Sequence, residues 1–341
     1  MDKKEDQTDT ISLLSPSDTL KNIDFKGFIG EEGKVKFDKF EDFLAFLLNI
    51  FATNNIKVYG SQDNIKIGEE LGKGMFGVVF KATFGDQLLA IKFLDKIDHN
   101  EDPEKTIITI INELKTITAV NHDRIPKFHG VYQKEDSLGL MFSFIKGVTL
   151  NIYLEKNKLT SNEKLDLAIQ LAEILVALHE KRVIHRDIKP KNTMVTPEGN
   201  VILIDFGISR INEKTVANTG GLKGSPAYSP PEAFIDTSQD DDRLFTVTTK
   251  FDVWSLGCVM MEMFSGEKPW SKKFKDSNRI MLALSKHTKF GLYDIPIPKG
   301  FDTDYPEIFE ILKNCLIGNV KERYTSREML AKLNELKGKL K

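Results

Sequence analysis

A glycine-rich segment, GKGMFGVV at residues 72–79, most constrains what this chain can fold into. Glycines with this spacing open either a strand-to-helix turn that binds dinucleotides or a hairpin between two strands. The stretch GVVFKATF begins within the segment, and its β-branched alternation predicts a second strand rather than a helix. In such a hairpin the glycines let backbone N–H groups approach phosphate groups without a side-chain clash. A plain hairpin that binds nothing remains the alternative for this motif alone.

The spacing of apolar residues predicts two differently built parts. Alternating and apolar runs bounded by glycine, between residues 65 and 93, indicate a strand-rich first part. Residues 103–120 and 162–180 have helical periodicity, and the second part is mostly helical. This layout predicts an α+β fold with two lobes, and ligands usually bind in a cleft between lobes.

The composition is that of an ordinary globular protein. Charged residues make up 29% of the chain and the net charge is −2, so nucleic acid or an anionic membrane is not expected as the main partner. The polar start MDKKEDQTDT predicts no secretory signal, and no apolar run is long enough to span a bilayer. The two cysteines, Cys258 and Cys315, lack metal-ligand spacing, so we expect buried thiols in a reducing compartment, the cytoplasm.

The stretch HRDIKPKN at residues 185–192 places three different polar groups close together. Asp187 can accept a hydroxyl proton, Lys189 can neutralise charge on a transferring group, and Asn192 offers a neutral oxygen to a divalent cation. Asp205 follows the apolar run VILI and would present a carboxylate at a strand end, which suits a hard cation such as Mg²⁺. Taken singly, Asp205 is equally well explained as a turn residue.

Lys92 ends the apolar run LAIK. A lysine on an apolar strand usually lies on the solvated face, and one that points into a phosphate site needs a carboxylate to hold it. Glu113, in the helical stretch 103–120, is the candidate partner. Alone, Glu113 would be explained as an exposed helix charge.

Together, and in this order, these segments resemble the eukaryotic-type protein kinase family from about residue 65 to residue 340. The resemblance implies a bilobal kinase fold, with an antiparallel N-lobe sheet and one helix, and a larger, mostly helical C-lobe. It also implies ATP and Mg²⁺ as cofactors and a protein substrate. Asp187 would be the catalytic base, and Lys189 would contact the γ-phosphate. Asn192 and Asp205 would bind Mg²⁺.

The resemblance also implies a nucleotide site. Lys92 would bind the α- and β-phosphates and pair with Glu113, and three glycines would cover the phosphates. The hinge would run from Ser143 to Ile145. The implied ATP-binding residues are Leu71, Gly72, Gly74, Gly77, Val79, Ala90, Lys92, Glu113, Phe142, Phe144 and Met194.

Further segments extend the resemblance. GSPAYSPPE at residues 224–232 resembles the segment with which the family positions peptides, and DVWSLG begins at Asp252 as in the family. Arg323 stands where the family places an arginine that pairs with the glutamate of the first segment, here Glu232. A spine of stacked side chains would use Ile117, His185 and Phe206.

The resemblance favours serine or threonine as the phosphoryl acceptor, because Lys189 and the KPxN context are similar to those of serine/threonine kinases, and dual specificity is the alternative. A pseudokinase would lack Lys92, Asp187 or Asp205, and all three are present. A small-molecule kinase would lack the segment 224–232. Only the N-terminal helix and an acidic insertion at residues 237–242 favour an interaction protein.

We expect a disordered tail at residues 1–22, an extension at residues 23–63 and a kinase domain at residues 64–341, whose lobes divide after residue 145. An EF-hand alignment on Gly33 puts Phe28 and Lys39 at ligand positions, which excludes calcium binding. Residues 38–52 have helical periodicity. Their apolar face either packs on its own lobe or binds a partner or a membrane surface.

The resemblance implies regulation through the activation segment, from Asp205 to Glu232. Arg186 precedes the catalytic aspartate, and kinases with this arginine are often switched by phosphorylation of that segment. Thr219 is the first candidate and Thr215 the second, since a phosphate there adds negative charge that an arginine can pair with. The alternative is a loop that orders without phosphate. The acidic insertion is a solvated loop or recruits a basic partner.

Overall fold

The structure is a computed structural model that describes residues 40–53, 55–74, 77–94, 114, 120, 122–135, 137–206, 225–234, 248–274, 276–286 and 298–340. Among these residues the chain divides into two compact units, which separate between Lys146 and Gly147. We refer to them as the N-lobe and the C-lobe.

The N-lobe contains one helix and a six-stranded sheet. Helix α1 spans Phe40–Thr53. The strands are β1 (Val58–Tyr59), β2 (Lys66–Gly74), β3 (Gly77–Phe84), β4 (Gln87–Leu94), β5 (Phe128–Lys134) and β6 (Ser137–Ser143). Their order in the sheet is β1-β5-β6-β4-β3-β2, and every pair is antiparallel except β1 with β5.

The two faces of this sheet carry different side chains, because successive residues of a strand point to opposite faces. One face carries an apolar cluster of Tyr59, Ile65, Ala82, Leu89, Ile91, Tyr132 and Met141. The register pairs Val79 with Lys92 and Ala90 with Phe142, so these four residues share the opposite face. The residues predicted to bind ATP on β3, β4 and β6 therefore lie together.

Strand β1 was not predicted from the sequence. It pairs in parallel with β5, and Val131 donates its N–H to the Lys57 carbonyl at 2.9 Å. Gly130, with φ of 140°, makes this approach possible, since a Cβ there would lie 2.3 Å from the Lys57 oxygen. Tyr59 belongs to the apolar cluster, and its ring packs edge-on against Phe84 at 5.4 Å. Residues ahead of the predicted domain boundary are thus part of the N-lobe core.

Helix α1 lies in the same compact unit and contacts β1. Phe46, Leu47, Ile50 and Phe51 are buried, while Asp42 and Ala45 are exposed. The buried positions follow the i, i+1, i+4, i+5 pattern of one helix face. This burial favours packing of the helix on its own lobe over binding of a separate partner.

We expect Leu47→Ala to lower the free energy of unfolding by about 2–5 kcal/mol, the usual cost of emptying a fully buried leucine site. Leu47 has no exposed surface, so contacts with water do not replace the packing contacts that are lost with its side chain. Thermal and urea unfolding would measure the change, with Asp42→Ala on the exposed face as control. Equal stabilities of the two variants would show that α1 is not part of the folded lobe.

The C-lobe is mainly helical. Its helices are α2 (Leu150–Lys156), α3 (Ser161–Glu180), α4 (Lys250–Ser265), α5 (Ser277–Lys286), α6 (Phe301–Asp304), α7 (Pro306–Cys315) and α8 (Ser326–Lys339). Three short strands, β7 (Val148–Thr149), β8 (Thr193–Val195) and β9 (Val201–Leu203), form an antiparallel sheet in that order. Over the described residues, no helix is both long enough and apolar enough to cross a membrane.

Two helices organise the C-lobe. Helix α3 begins at the N-cap Thr160, whose hydroxyl and backbone N–H both bond to Glu163, so orphan N–H groups of the first turn are satisfied. Its apolar face is buried at the predicted positions 165, 168, 171, 172, 175 and 178. Helix α4 is buried on all sides from Phe251 to Phe264. A helix with no solvent-facing side is a core element, and the buried polar residues of α4, Asp252, Ser255 and Glu262, support the loops described next.

Candidate active site

The carboxylate of Asp187 accepts hydrogen bonds from two donors, the cationic Lys189 and the neutral Asn192. Its Oδ2 atom accepts a hydrogen bond from Lys189 Nζ at 2.7 Å and another from Asn192 Nδ2 at 2.8 Å. Asn192 Nδ2 also donates to the Asp187 carbonyl at 2.9 Å. Among the described residues, Asp187 Oδ1 accepts no hydrogen bond. The carboxylate is thus held in one orientation by one oxygen, while the other oxygen can accept a proton.

The backbone just before Asp187 is strained, and a buried aspartate holds it. Arg186 has φ of 66°, a left-handed conformation that costs a side-chain-bearing residue about 1–3 kcal/mol. The two carboxylate oxygens of Asp252, in the first turn of α4, accept the N–H groups of His185 and Arg186 at 2.8 Å each. These bonds stabilise the turn that presents Asp187.

Sequence reasoning missed the next contacts in this network. His179, near the end of α3, bonds through Nε2 to Asp252 Oδ2 at 3.0 Å and through Nδ1 to Ser326 Oγ at 2.9 Å. Burial raises the pKa of Asp252, but the hydrogen bond from His179, the electrostatic interaction with the neighbouring histidines and the backbone hydrogen bond from Arg186 together outweigh it and lower the pKa overall. The carboxylate is therefore ionised and binds its donors strongly. A single histidine in an amphipathic helix gives no sequence signal for this role.

His185 packs against Phe206, with ring centroids 5.0 Å apart. Burial lowers the pKa of His185, so its ring is neutral near neutral pH. Its Nδ1 atom can then accept the N–H of Asp187 at 3.3 Å. Two members of the predicted spine are therefore in contact, and one of them also contacts the backbone of the candidate base.

The two predicted metal ligands are brought together by the small sheet. Asn192 precedes β8 and Asp205 lies two residues beyond β9, and Ile204 donates its N–H to the Asn192 carbonyl at 2.8 Å. Because Asn192 uses its amide nitrogen for both bonds to Asp187, its Oδ1 atom remains as an oxygen ligand. Asp205 adopts φ of 57°, which aspartate tolerates better than most residues.

These oxygen donors fit a hard divalent cation. Mg²⁺ is usually held by one or two carboxylates together with substrate phosphates and water, rather than by a dedicated protein cage. In the part of the chain that the structure describes, no three His, Cys, Asp or Glu side chains cluster in a way that could hold a metal. An Asn–Asp pair of this kind suits a hard divalent cation bound together with a phosphate ligand.

The segment at residues 225–234 is anchored by a buried ion pair. Arg323 donates to the two oxygens of Glu232 at 2.6 and 3.0 Å, and its remaining N–H groups bond to the Ile317 and Lys250 carbonyls. The guanidinium also lies over the Trp254 ring at 5.0 Å. This is the pairing that the family resemblance implies.

A second anchor was not predicted. Tyr228 donates its hydroxyl to Glu262 Oε2 at 2.5 Å, and Ser255 Oγ donates to the Tyr228 carbonyl at 2.8 Å. Burial raises the pKa of Glu262 and of the Tyr228 phenol, which keeps the phenol protonated as the donor. Both anchors fix residues 225–234 to α4 and to the region before α8.

In the N-lobe, Lys92 is buried in β4 with 8% of its surface exposed. It shares a sheet face with Val79, Ala90 and Phe142. Gly77 opens β3 with φ of 135°, and a Cβ there would lie 1.8 Å from the Phe93 carbonyl oxygen, so only glycine fits at this position. Leu71, on β2, is 43% exposed.

The remaining predicted residues are placed as follows. Gly72 and Gly74 lie on β2, Phe144 follows β6, and Met194 lies on β8 in the C-lobe. Glu113, Ile117, Thr215, Thr219 and the insertion 237–242 lie outside the described residues. The predicted Lys92–Glu113 pair therefore stays a prediction.

Comparison with known proteins identifies the family. The model of the protein kinase domain matches residues 65–333. The chain belongs to the protein kinase family. The predicted family and bilobal kinase fold are confirmed by this match.

Relatives of this protein kinase include mitogen-activated protein kinase kinase kinase A of Dictyostelium discoideum, which is 30% identical over 278 residues. Mitogen-activated protein kinase kinase kinase 2 of Arabidopsis thaliana is 28% identical over 271 residues. These alignments cover 79% and 77% of the chain, but only 28% and 39% of the two relatives. The chain thus matches about a third of the length of these relatives.

Proposed function

We propose that this protein kinase transfers the γ-phosphoryl group of ATP to serine and threonine hydroxyl groups of protein substrates, with Mg²⁺ as the metal. The observation that carries the proposal is the held carboxylate of Asp187, with one oxygen bonded to Lys189 and Asn192 and the other able to accept a proton. Phosphoryl transfer requires an oriented acceptor hydroxyl and fixed positive charge more than covalent chemistry by the protein. In this site the Asp187 carboxylate can orient the acceptor hydroxyl, and Lys189 supplies the fixed positive charge.

Asp187 orients the acceptor hydroxyl and takes its proton. Lys189, held 2.7 Å from the same carboxylate, supplies a cation that offsets charge on the transferring phosphoryl group. Mg²⁺, bound by Asn192 and Asp205, would neutralise charge on the phosphates. Lys92 would bind the α- and β-phosphates from the N-lobe.

Serine and threonine are favoured as acceptors by two features. Lys189 lies beside the base, as the resemblance to serine/threonine kinases implies. Ser225 precedes the short helical turn that begins the anchored segment, and a hydroxyl at this position can contact the catalytic aspartate, as the resemblance to serine/threonine kinases implies. The free, buried thiols of Cys258 and Cys315 support the expected reducing compartment, the cytoplasm.

A phosphorylation assay tests the proposal. The purified chain is incubated with Mg-ATP, and separately with Ca-ATP, on an array of serine, threonine and tyrosine peptides that also carries a kinase-inactive protein kinase as substrate. The last substrate is included because the relatives are named as kinases of kinases. Labelling of serine and threonine with Mg-ATP is the expected result. Labelling of tyrosine alone, or none with either metal, would contradict the proposal.

We expect Lys92→Met to reduce this transfer by about 10²- to 10³-fold, which is typical for the loss of one fixed group that stabilises transition-state charge. Lys92 is buried on the face shared with the other predicted nucleotide residues, so solvent cannot replace its charge. The control is Lys66→Met on the exposed edge strand β2. If both variants keep full activity, Lys92 has no role in the reaction.

Regulation through the activation segment belongs to the same proposal. Arg186 is buried next to the base, where a phosphate on Thr219 or Thr215 would be a suitable counter-charge. The assay repeated after phosphatase treatment tests this point, since an unchanged rate would exclude such a switch.

A further inference from the structure

Strand β5 contains an irregularity next to the predicted hinge. The register pairs Phe128 with Phe142 and Gly130 with Met141, so β5 has one residue more than β6 at this point. The extra residue is His129. A bulge of this kind re-aims the side chain of the inserted residue.

The re-aimed ring reaches the first residue of the hinge. His129 Nε2 lies 2.8 Å from Ser143 Oγ, within hydrogen-bonding distance. Burial, and then the charge of Lys127, lower the pKa of His129, so the ring is neutral near neutral pH. A neutral ring can donate to the hydroxyl or accept from it, depending on its tautomer.

The backbone N–H groups of the hinge residues Ser143 and Phe144 are also held. Their acceptors lie directly before β5 and on β4. Ser143 donates its N–H to the Lys127 carbonyl at 2.9 Å, and Phe144 donates to the Leu88 carbonyl at 3.2 Å. The Phe144 ring lies under Lys81 Nζ at 5.3 Å. The contact with His129 is the only one of these that holds the Ser143 side chain among the described residues.

We propose that His129 and Ser143 form a clamp that positions the hinge for binding the adenine ring of ATP. This inference rests on the proposed function, because it assumes that the hinge backbone binds adenine. His129 is then a positioning residue: it touches neither nucleotide nor substrate and acts through Ser143.

The test measures nucleotide affinity directly. Calorimetric titration with ATP and with adenosine is carried out on wild type, Ser143→Ala and His129→Ala, together with KM for ATP and kcat. We expect affinity for both ligands to fall about three- to tenfold, the range for loss of one neutral hydrogen bond. KM for ATP should rise by the same factor with little change in kcat. Adenosine lacks phosphates, so a matching loss assigns the effect to the adenine contact.

Three further variants separate positioning from general damage. Ser143→Thr keeps the hydroxyl and should keep wild-type affinity. Ser137→Ala, at the far end of the same strand, should have no effect on either ligand. The double variant at positions 129 and 143 should lose no more affinity than either single variant, because both changes remove the same contact.

The failure of this inference and the failure of the proposed function give different results. If wild type binds ATP and Ser143→Ala binds it equally well, the clamp does not exist, while the proposed function stands. If wild type binds neither ATP nor adenosine, both proposals are overturned. Should His129→Ala fail to fold, as a melting curve would show, Ser143→Ala and Ser143→Thr still decide the question.

Discussion

Asp187→Asn will slow phosphoryl transfer by about 10²- to 10⁴-fold, the range for removal of a positioned general base. Oδ2 of Asp187 receives donors from Lys189 and Asn192. The asparagine will therefore turn its carbonyl oxygen toward them and present its NH₂ group to the substrate. The acceptor hydroxyl then meets a donor where it needs an acceptor.

Affinity for Mg-ATP should stay close to that of wild type, because Asp187 acts on the hydroxyl and not on the nucleotide. Single-turnover rates and equilibrium nucleotide binding measure the two quantities separately. Asp166→Asn is the matched control, since Asp166 is an exposed aspartate on α3 that pairs with Lys337. A near-normal single-turnover rate in Asp187→Asn would remove Asp187 from the reaction.

Arg323→Ala will have the largest effect on stability. The Arg323 side chain is fully buried, and Glu232 is only 12% exposed. Removing the arginine leaves a buried carboxylate and two carbonyl groups without their donors. Breaking a buried ion pair in this way typically costs about 3–5 kcal/mol, which corresponds to a fall in melting temperature on the order of 10 °C.

The matched control is Arg327→Ala. Arg327 pairs with Glu180, but the two side chains are 70% and 49% exposed, and surface pairs contribute about 0–1 kcal/mol. Arg323→Lys should rescue little, since one ammonium cannot make the two parallel bonds to Glu232. Similar melting temperatures for the alanine variants at 323 and 327 would show that the Arg323 ion pair stabilises the fold no more than a surface pair.

Much of the C-lobe could be predicted because its signals are local. The apolar face of α3 repeats over almost four turns, and the Asp187–Asn192 contact spans only five residues. Arg323 and Glu232 are 91 residues apart, and only the family resemblance suggested that they pair. Periodicity alone could not have brought them together.

The contacts that sequence reasoning missed are of another kind. Strand β1 is two residues long, too short for alternation to be visible, and it depends on the close backbone approach at Gly130. The bulge at His129 is a mismatch between two strands, which neither strand's sequence reveals alone. His179 meets Ser326 across 147 residues of chain. Such contacts are products of tertiary packing and carry no periodic pattern.

The carboxylate of Asp252 has a consequence for the order of events during biosynthesis. It connects the loop at residues 185–186 to His179, and His179 connects to Ser326 on the last helix. A ribosome releases these segments in sequence, from the N-terminus onward. The loop therefore emerges after His179 but well before Asp252 and Ser326. The complete hydrogen-bond network around the loop can form only when Ser326 has left the exit tunnel, after most of the secondary structure can already have formed.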